Sequence, residues 1–117
     1  MRCYYFNDLE STVIAINNNT YPEDNKEQLS SSVVRVITGL AVPIIDILAD
    51  VTTESDLSIS KSCVINLNGH TITVNNDGRL KFINSAGPTE VIINAIDAII
   101  QRAGTQSAAK SLITFMG

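Results

Sequence analysis

One histidine, two cysteines and a scatter of carboxylates are the residues with which this 117-residue chain might be expected to do chemistry. His70 stands in NLNGHTIT, directly after Asn68-Gly69 and at the head of an apolar run. A catalytic imidazole needs a nucleophile or orienting partner in reach, and a metal-binding one needs clustered ligands. No motif around His70 supplies either, so it reads as a corner residue with local hydrogen bonds. Asp46, Asp50, Glu54, Asp56, Asp77 and Asp97 are the acids from which a carboxylate pair for sugar hydrolysis or an oxygen cage for calcium would be drawn. They match no recognisable motif and read as solvated corners and outward strand positions. Cys3 and Cys63, sixty positions apart, fit no metal or redox spacing and read as small buried hydrophobes. A disulfide between them requires the N-terminus to pack on the strand holding Cys63, which the sequence leaves open. No metal, cofactor or catalytic residue is assigned.

The elements that must position these residues follow from composition and pattern. Hydrophobic residues make up 44% of the chain and charged residues 17%, which argues for one folded unit over a disordered tail. Most of the apolar content is Ile, Val, Leu and Ala, and the β-branched members favour strands. A net charge of −4 without a basic cluster gives nothing to neutralise a phosphate backbone, so no nucleic-acid partner is expected. No run is long enough to span a bilayer, and positions 1–20 lack the pattern of a secretory leader, so no membrane insertion is expected.

Residues 8–17, DLESTVIAIN, predict a helix, with Asp8 as N-cap and Leu9, Val13, Ile14 and Ile16 as its apolar face. Residues 18–31 are polar, contain Pro22 and read as an exposed loop insertion; Asn18-Asn19-Thr20 fits a glycosylation pattern that carries little weight without an export signal. Residues 28–40 satisfy both a strand and a helical period, the strand being preferred. Tyr4 and Phe6 share one face of a short N-terminal strand and read as core beneath the helix. Tyr5 and Tyr21 complete an N-terminal aromatic group suited to packing, to sugar rings or to a protein interface.

Residues 32–117 read as strands and coils, and from position 44 onward they settle into short apolar runs divided by turns. Taking IIDIL, CVINL, RLKFI and the segment around AIIQ as equivalent, with LSIS, HTITV, EVIINA and SLITF as the second run of each unit, gives a repeat of about sixteen to twenty residues. Within the runs Asp46, Asn66 and Lys81 alternate outward between apolar neighbours. Asn68-Gly69 and Asp77-Gly78 predict positive-φ corners. Asn68, Asn84 and Gln101 follow equivalent strands and would form a stacked amide ladder. A hairpin meander turning at the same corners is the structural competitor.

The stretches YYFNDLESTVIAI, PIIDILADVT and LSISKSCVINLNGHTIT resemble the opening of right-handed parallel β-helix proteins of the pectin-lyase-like superfamily, of the kind found in gut-bacterial surface proteins and prophage tail-type proteins. The resemblance covers residues 4–16 and 44–84, with 18–38 as an insertion and 86–117 matching only as irregular coils. It implies an all-β solenoid, a short right-handed parallel β-helix of one domain over 1–117 with 8–17 as capping helix, either whole or a fragment of a longer chain. It further implies a setting on a virion or bacterial surface. The function it implies is a non-catalytic structural or recognition module presenting its faces to glycans or neighbouring subunits, with a homotrimer as the assembly common among fibres. The alternative is the N-terminal capping part of a larger carbohydrate-active lyase or hydrolase. The residues assigned structural roles are Asn68, Gly69, Asp77, Gly78 and Asn84. The last run, SLITFMG, has no polar cap after it, so either the natural chain continues or this end is buried in an oligomer.

Overall fold

A computed structural model describes residues 1–83, 90–106 and 111–116. The chain is mostly β-strand with one α-helix: β1 (Arg2–Phe6), α1 (Leu9–Asn18), a 3-10 turn (Glu23–Lys26), then β2 (Val34–Thr38), β3 (Ile44–Ile47), β4 (Val51–Thr53) and β5 (Leu57–Ile59). It continues through β6 (Cys63–Asn66), β7 (Thr71–Asn75), β8 (Leu80–Ile83), β9 (Val91–Asn94), β10 (Ile99–Ala103) and β11 (Ile113–Met116). Its radius of gyration, 13.8 Å, is close to the value of about 13 Å typical of a compact chain of this size. None of the helices among the described residues is long and apolar enough to cross a membrane.

Three sheets carry the strands, in the orders β1-β2-β3-β6-β9, β10-β7-β4 and β11-β8-β5. From β3 to β8 every strand pairs in parallel with the strand three places later. The strands therefore fall into triplets, β3–β4–β5, β6–β7–β8 and β9–β10–β11, one member of each in every sheet. Among the described strands, only β1, β2 and β3 pair antiparallel. The β2–β3 pair settles residues 34–38 as strand; its two β-branched runs turn at Gly39, whose φ is +81°.

The inward residues of successive triplets lie over one another and form the core. Ile45 aligns with Ile65 and Ile93, Val51 with Ile72, and Leu57 with Leu80. Val34, Val36, Ile47, Leu67 and Val74 have no exposed surface. Stacking like on like buries β-branched side chains against one another, and it explains why Ile and Val recur at these places.

Asp8 caps α1 as its type predicts, accepting a hydrogen bond from the Ser11 backbone N–H at 2.7 Å. Leu9, Thr12, Val13, Ala15 and Ile16 are buried. Ile14 was expected on this face but is 60% exposed. The helical period places it about 140° around the axis from Leu9.

The repeat differs from the one that the sequence suggests. Register partners in the first two triplets lie 20 to 23 positions apart, and those in the second and third lie 28 to 33 apart. RLKFI and CVINL are not equivalent: β8 pairs with β5 and β11, whereas β6 pairs with β3 and β9. Each unit contains three runs, and the loops between them vary in length, so a constant spacing misassigns the members.

Candidate functional site

A single row of side chains crosses the outer face of the five-stranded sheet. Register places Tyr5, Arg35, Asp46, Asn66 and Asn94 side by side on five adjacent strands. Arg35 donates through Nε and Nη2 to Asp46 Oδ2 at 3.1 and 2.8 Å. Asn66 Nδ2 donates to Asp46 Oδ1 at 3.0 Å, and Asn94 Nδ2 donates to Asn66 Oδ1 at 2.6 Å. The Asp46 hydrogen bond, helped by Tyr5, holds the Arg35 guanidinium above its ordinary pKa. Asp46 is outward by strand parity yet only 6% exposed, so pairing is what makes its burial tolerable.

This row is the amide ladder of the structure, and it replaces the one expected from Asn68, Asn84 and Gln101. Asn68 instead donates to the carbonyl of Ile47 at 3.1 Å, closing the end of β3, and Gln101 donates to Thr73 Oγ1 at 3.2 Å. Asn84 lies outside the described residues. A signal for the true ladder exists in the triads Ile44-Ile45-Asp46, Val64-Ile65-Asn66 and Ile92-Ile93-Asn94, each placing an Asp or Asn after two aliphatics. Aligning on that triad, instead of on turn spacing, finds it.

Three of the other carboxylates singled out by the sequence, Asp50, Glu54 and Asp56, also tie one triplet to the next. Asp50 Oδ1 accepts from the Thr71 N–H at 2.8 Å, and Glu54 Oε1 accepts from Asn75 Nδ2 at 2.9 Å. Asp56 Oδ2 meets Lys81 Nζ at 2.9 Å and Arg79 Nη2 at 3.4 Å, and chiefly its bond with Lys81 lowers its pKa. Four acids of the first triplet and its connections thus accept from the second, as strand-stacking ties. His70 Nδ1 is 3.6 Å from Asp50 Oδ1, beyond hydrogen-bond range, and His70 N–H donates to Leu67 O at 2.9 Å within the corner.

The two predicted corners use their residues differently. Asn68 and Gly69 adopt φ of 52° and 79°, as expected, and connect strands of different sheets, so they form no meander hairpin. At the second corner the positive φ, 54°, falls on Asn76, and neither Asp77 nor Gly78 has one. Gly78 is required by space instead: a Cβ there would lie 2.9 Å from Val74 Cγ1 and 3.1 Å from Ser55 O. The cysteines are both free. Cys3 lies on the outer face of β1, whereas Cys63 is 1% exposed in the core, where burial pushes its thiol up to about 11.

Two grooves remain. One, of about 310 Å³, is bounded by Glu54, Asp56, Asn76 and Gly78, and its two acids are those already tied to Asn75, Lys81 and Arg79. The other, of about 300 Å³, lies where the end of α1 meets the loops at 41–43 and 61–62, with Tyr21, Val42 and Pro43 beside Asn19, Lys61 and Ser62. Tyr21 stacks on the buried Tyr4 with ring centroids 4.9 Å apart, so its position is fixed by the core, and desolvation raises its pKa. An aromatic wall with amide, ammonium and hydroxyl groups around it is chemistry suited to a sugar ring.

The two ends of the triplet stack are treated differently. At the first, α1 packs on β4 and β5, and Asn17 imitates a neighbouring strand: its Nδ2 donates to Ser58 O at 2.6 Å and its Oδ1 accepts from Ser60 N–H at 3.0 Å. Glu10 Oε1 accepts from Thr53 Oγ1 at 2.5 Å, and the outer edge of β1 is met by Asn25 Nδ2 donating to Tyr5 O at 3.0 Å. At the other end, no described strand pairs with the outer edges of β9, β10 and β11, and no described side chain hydrogen-bonds them. Comparison with family models, with curated proteins and with solved structures returned no match.

Proposed function

We propose that this chain is a short right-handed parallel β-helix capped by α1, and that it works as a non-catalytic structural and recognition module for glycans or neighbouring subunits. The observation that carries the reading is the parallel pairing of each strand from β3 to β8 with the strand three places later, in all three sheets. Such stacking is how a repeat that cannot bury its own inward face acquires a core. The use of Asp46, Asp50, Glu54 and Asp56 supports the non-catalytic part. Each is spent on holding one triplet to the next, whereas a catalytic acid or base must be held ready for a substrate proton.

The groove beside Tyr21 is the glycan contact in this reading, with the tyrosine ring for stacking and Asn19 and Lys61 for hydroxyl or acidic groups. An NMR titration with neutral and acidic oligosaccharides, run alongside an assay for new reducing ends and unsaturated products, tests it. Shifts centred on Tyr21, Lys61 and Asn19 with intact sugar support the reading. Cleavage of the sugar would contradict the non-catalytic role, and an unmoved Tyr21 would remove glycan from the proposal.

A further inference from the structure

We propose that the outer face of the third sheet carries an oxyanion site, built from Arg79, Lys81 and Thr114, for a tetrahedral sulfate or phosphate group, free or borne on a sugar. The site is separate from the groove beside Tyr21, and it stands or falls independently of that groove's role.

The first observation is placement. Leu80 and Phe82 enter the core, so Arg79 and Lys81 alternate with them onto the outer face. Register sets Lys81 between Ser58 on β5 and Thr114 on β11. Backbone bonds continue the same order one step earlier: Leu57 N–H donates to Arg79 O and Leu80 N–H donates to Leu112 O, so Arg79 lies between Asp56 and Leu112. Neighbouring strands are about 4.8 Å apart and alternate residues of one strand about 6.7 Å apart, which puts Arg79, Lys81 and Thr114 within reach of one small group. The side chains of Arg79 and Lys81 remain 29% and 19% exposed, so a solute reaches them from solvent.

The second is an imbalance of charge. Both cations converge on one atom, Asp56 Oδ2, which is 2.9 Å from Lys81 Nζ and a long 3.4 Å from Arg79 Nη2. Two positive charges thus share one carboxylate on the β5 side, in a chain whose net charge is −4. The β11 side supplies no second carboxylate, since residues 98–117 contain neither Asp nor Glu. An ammonium has three N–H donors and a guanidinium five, so most of their capacity is left for an acceptor arriving from that side.

The third is a pair of polar atoms without partners. Arg79 Nε and Thr114 Oγ1 are shielded from solvent, and neither has a hydrogen-bond partner among the described residues. A shielded donor without an acceptor is costly, the more so on a charged group. An oxyanion docking beside Lys81 accepts from both as the Arg79 and Thr114 side chains turn toward it, and it relieves that cost. Three donors on three residues match three oxygens of a sulfate or phosphate, whereas a carboxylate has only two.

NMR titration of the full chain with inorganic phosphate and with inorganic sulfate, at an ionic strength held constant with sodium chloride, is the test. Saturable shifts at residues 79–81 and 113–115, with a dissociation constant of about 1 mM or lower, are expected. Thr114→Val removes the hydroxyl and nearly keeps the side chain's shape. It should weaken binding about tenfold while leaving the unliganded protein at least as stable, because that hydroxyl has no partner to lose. Lys81→Met should abolish the shifts, and Lys26→Met, on the 3-10 turn, should leave them unchanged. Chemical denaturation checks that each variant is folded, and Thr114→Val keeps the test decisive should Lys81→Met fail to fold. Acetate should bind at least about tenfold more weakly than sulfate. A sulfated disaccharide that binds more tightly than inorganic sulfate marks a sugar-borne group, and one that binds no tighter marks a free ion; both results support the site. No saturable shift at these residues, shifts that survive both Thr114→Val and Lys81→Met, or acetate binding as tightly as sulfate would overturn the proposal.

Discussion

Asn17→Ala removes the group that ends the third sheet, and its cost follows from two bonds. Asn17 Nδ2 reaches Ser58 O at 2.6 Å and Ser60 N–H reaches Asn17 Oδ1 at 3.0 Å, both partly buried. Each such bond contributes about 1 kcal/mol net, so the pair is worth about 2 kcal/mol. That is a sizeable fraction of the 5 to 15 kcal/mol, approximately, that holds an ordinary domain together. Alanine also raises helix propensity over asparagine by roughly half a kcal/mol, and this offsets part of the loss. Asn18→Ala is the matched control, since Asn18 is an exposed neighbour in the same helix and makes no such contact with β5. Chemical denaturation should place Asn17→Ala about 2 kcal/mol below Asn18→Ala, or lower in melting temperature by about 8 °C at roughly 4 °C per kcal/mol. Asn17→Asp, which keeps the acceptor for Ser60 and loses the donor to Ser58, should fall between them. Equal stability of the two alanine variants would refute the view that this amide stands in for a strand.

Three further outcomes are expected. Asp46→Ala leaves Arg35 and Asn66 without their shared acceptor and should cost about 2 kcal/mol in a denaturant titration, less than a fully buried pair because Arg35 is partly solvated. Asp56 has a folded pKa below its ordinary 3.8, chiefly through the Lys81 hydrogen bond. Its contribution is therefore present above that pH and lost as pH falls through the lower folded value, so Asp56→Asn should flatten the acid limb of a stability–pH curve. Cys63, with burial raising its thiol to about 11, should resist a thiol reagent at pH 8 while Cys3 reacts, and both should react once the chain is unfolded. The same shift makes Cys63 stabilising below its ordinary 9.0 and a liability as pH rises toward 11.

Local signals in the sequence were strong where a single element decides the outcome. Asp8 and the spacing of Leu9, Val13 and Ile16 specify a capped helix, and Tyr4 and Phe6 alternate with Tyr5 so that two rings enter the core and one stays out. Asn68-Gly69 specifies its corner through backbone conformation. Which strands become neighbours was much less legible, because parallel partners lie 20 to 33 positions apart and the connecting loops differ in length. A turn such as Asp77-Gly78 likewise marks a corner without saying whether its glycine serves φ or space; only the proximity of Val74 and Ser55 decides that. The roles of Asn17 and Asp46 were hidden for a related reason. An amide that ends a sheet and a carboxylate that joins two strands are defined by partners remote in sequence.

The most direct test of the stacked arrangement is the pattern of inter-strand nuclear Overhauser effects in the uniformly labelled protein. Parallel stacking predicts contacts between Ile45 and Ile65, between Ile72 and Ile100, and between Phe82 and Phe115. Contacts pairing residues 63–66 antiparallel with 71–75 across the Asn68-Gly69 turn would instead show a hairpin meander and contradict the account.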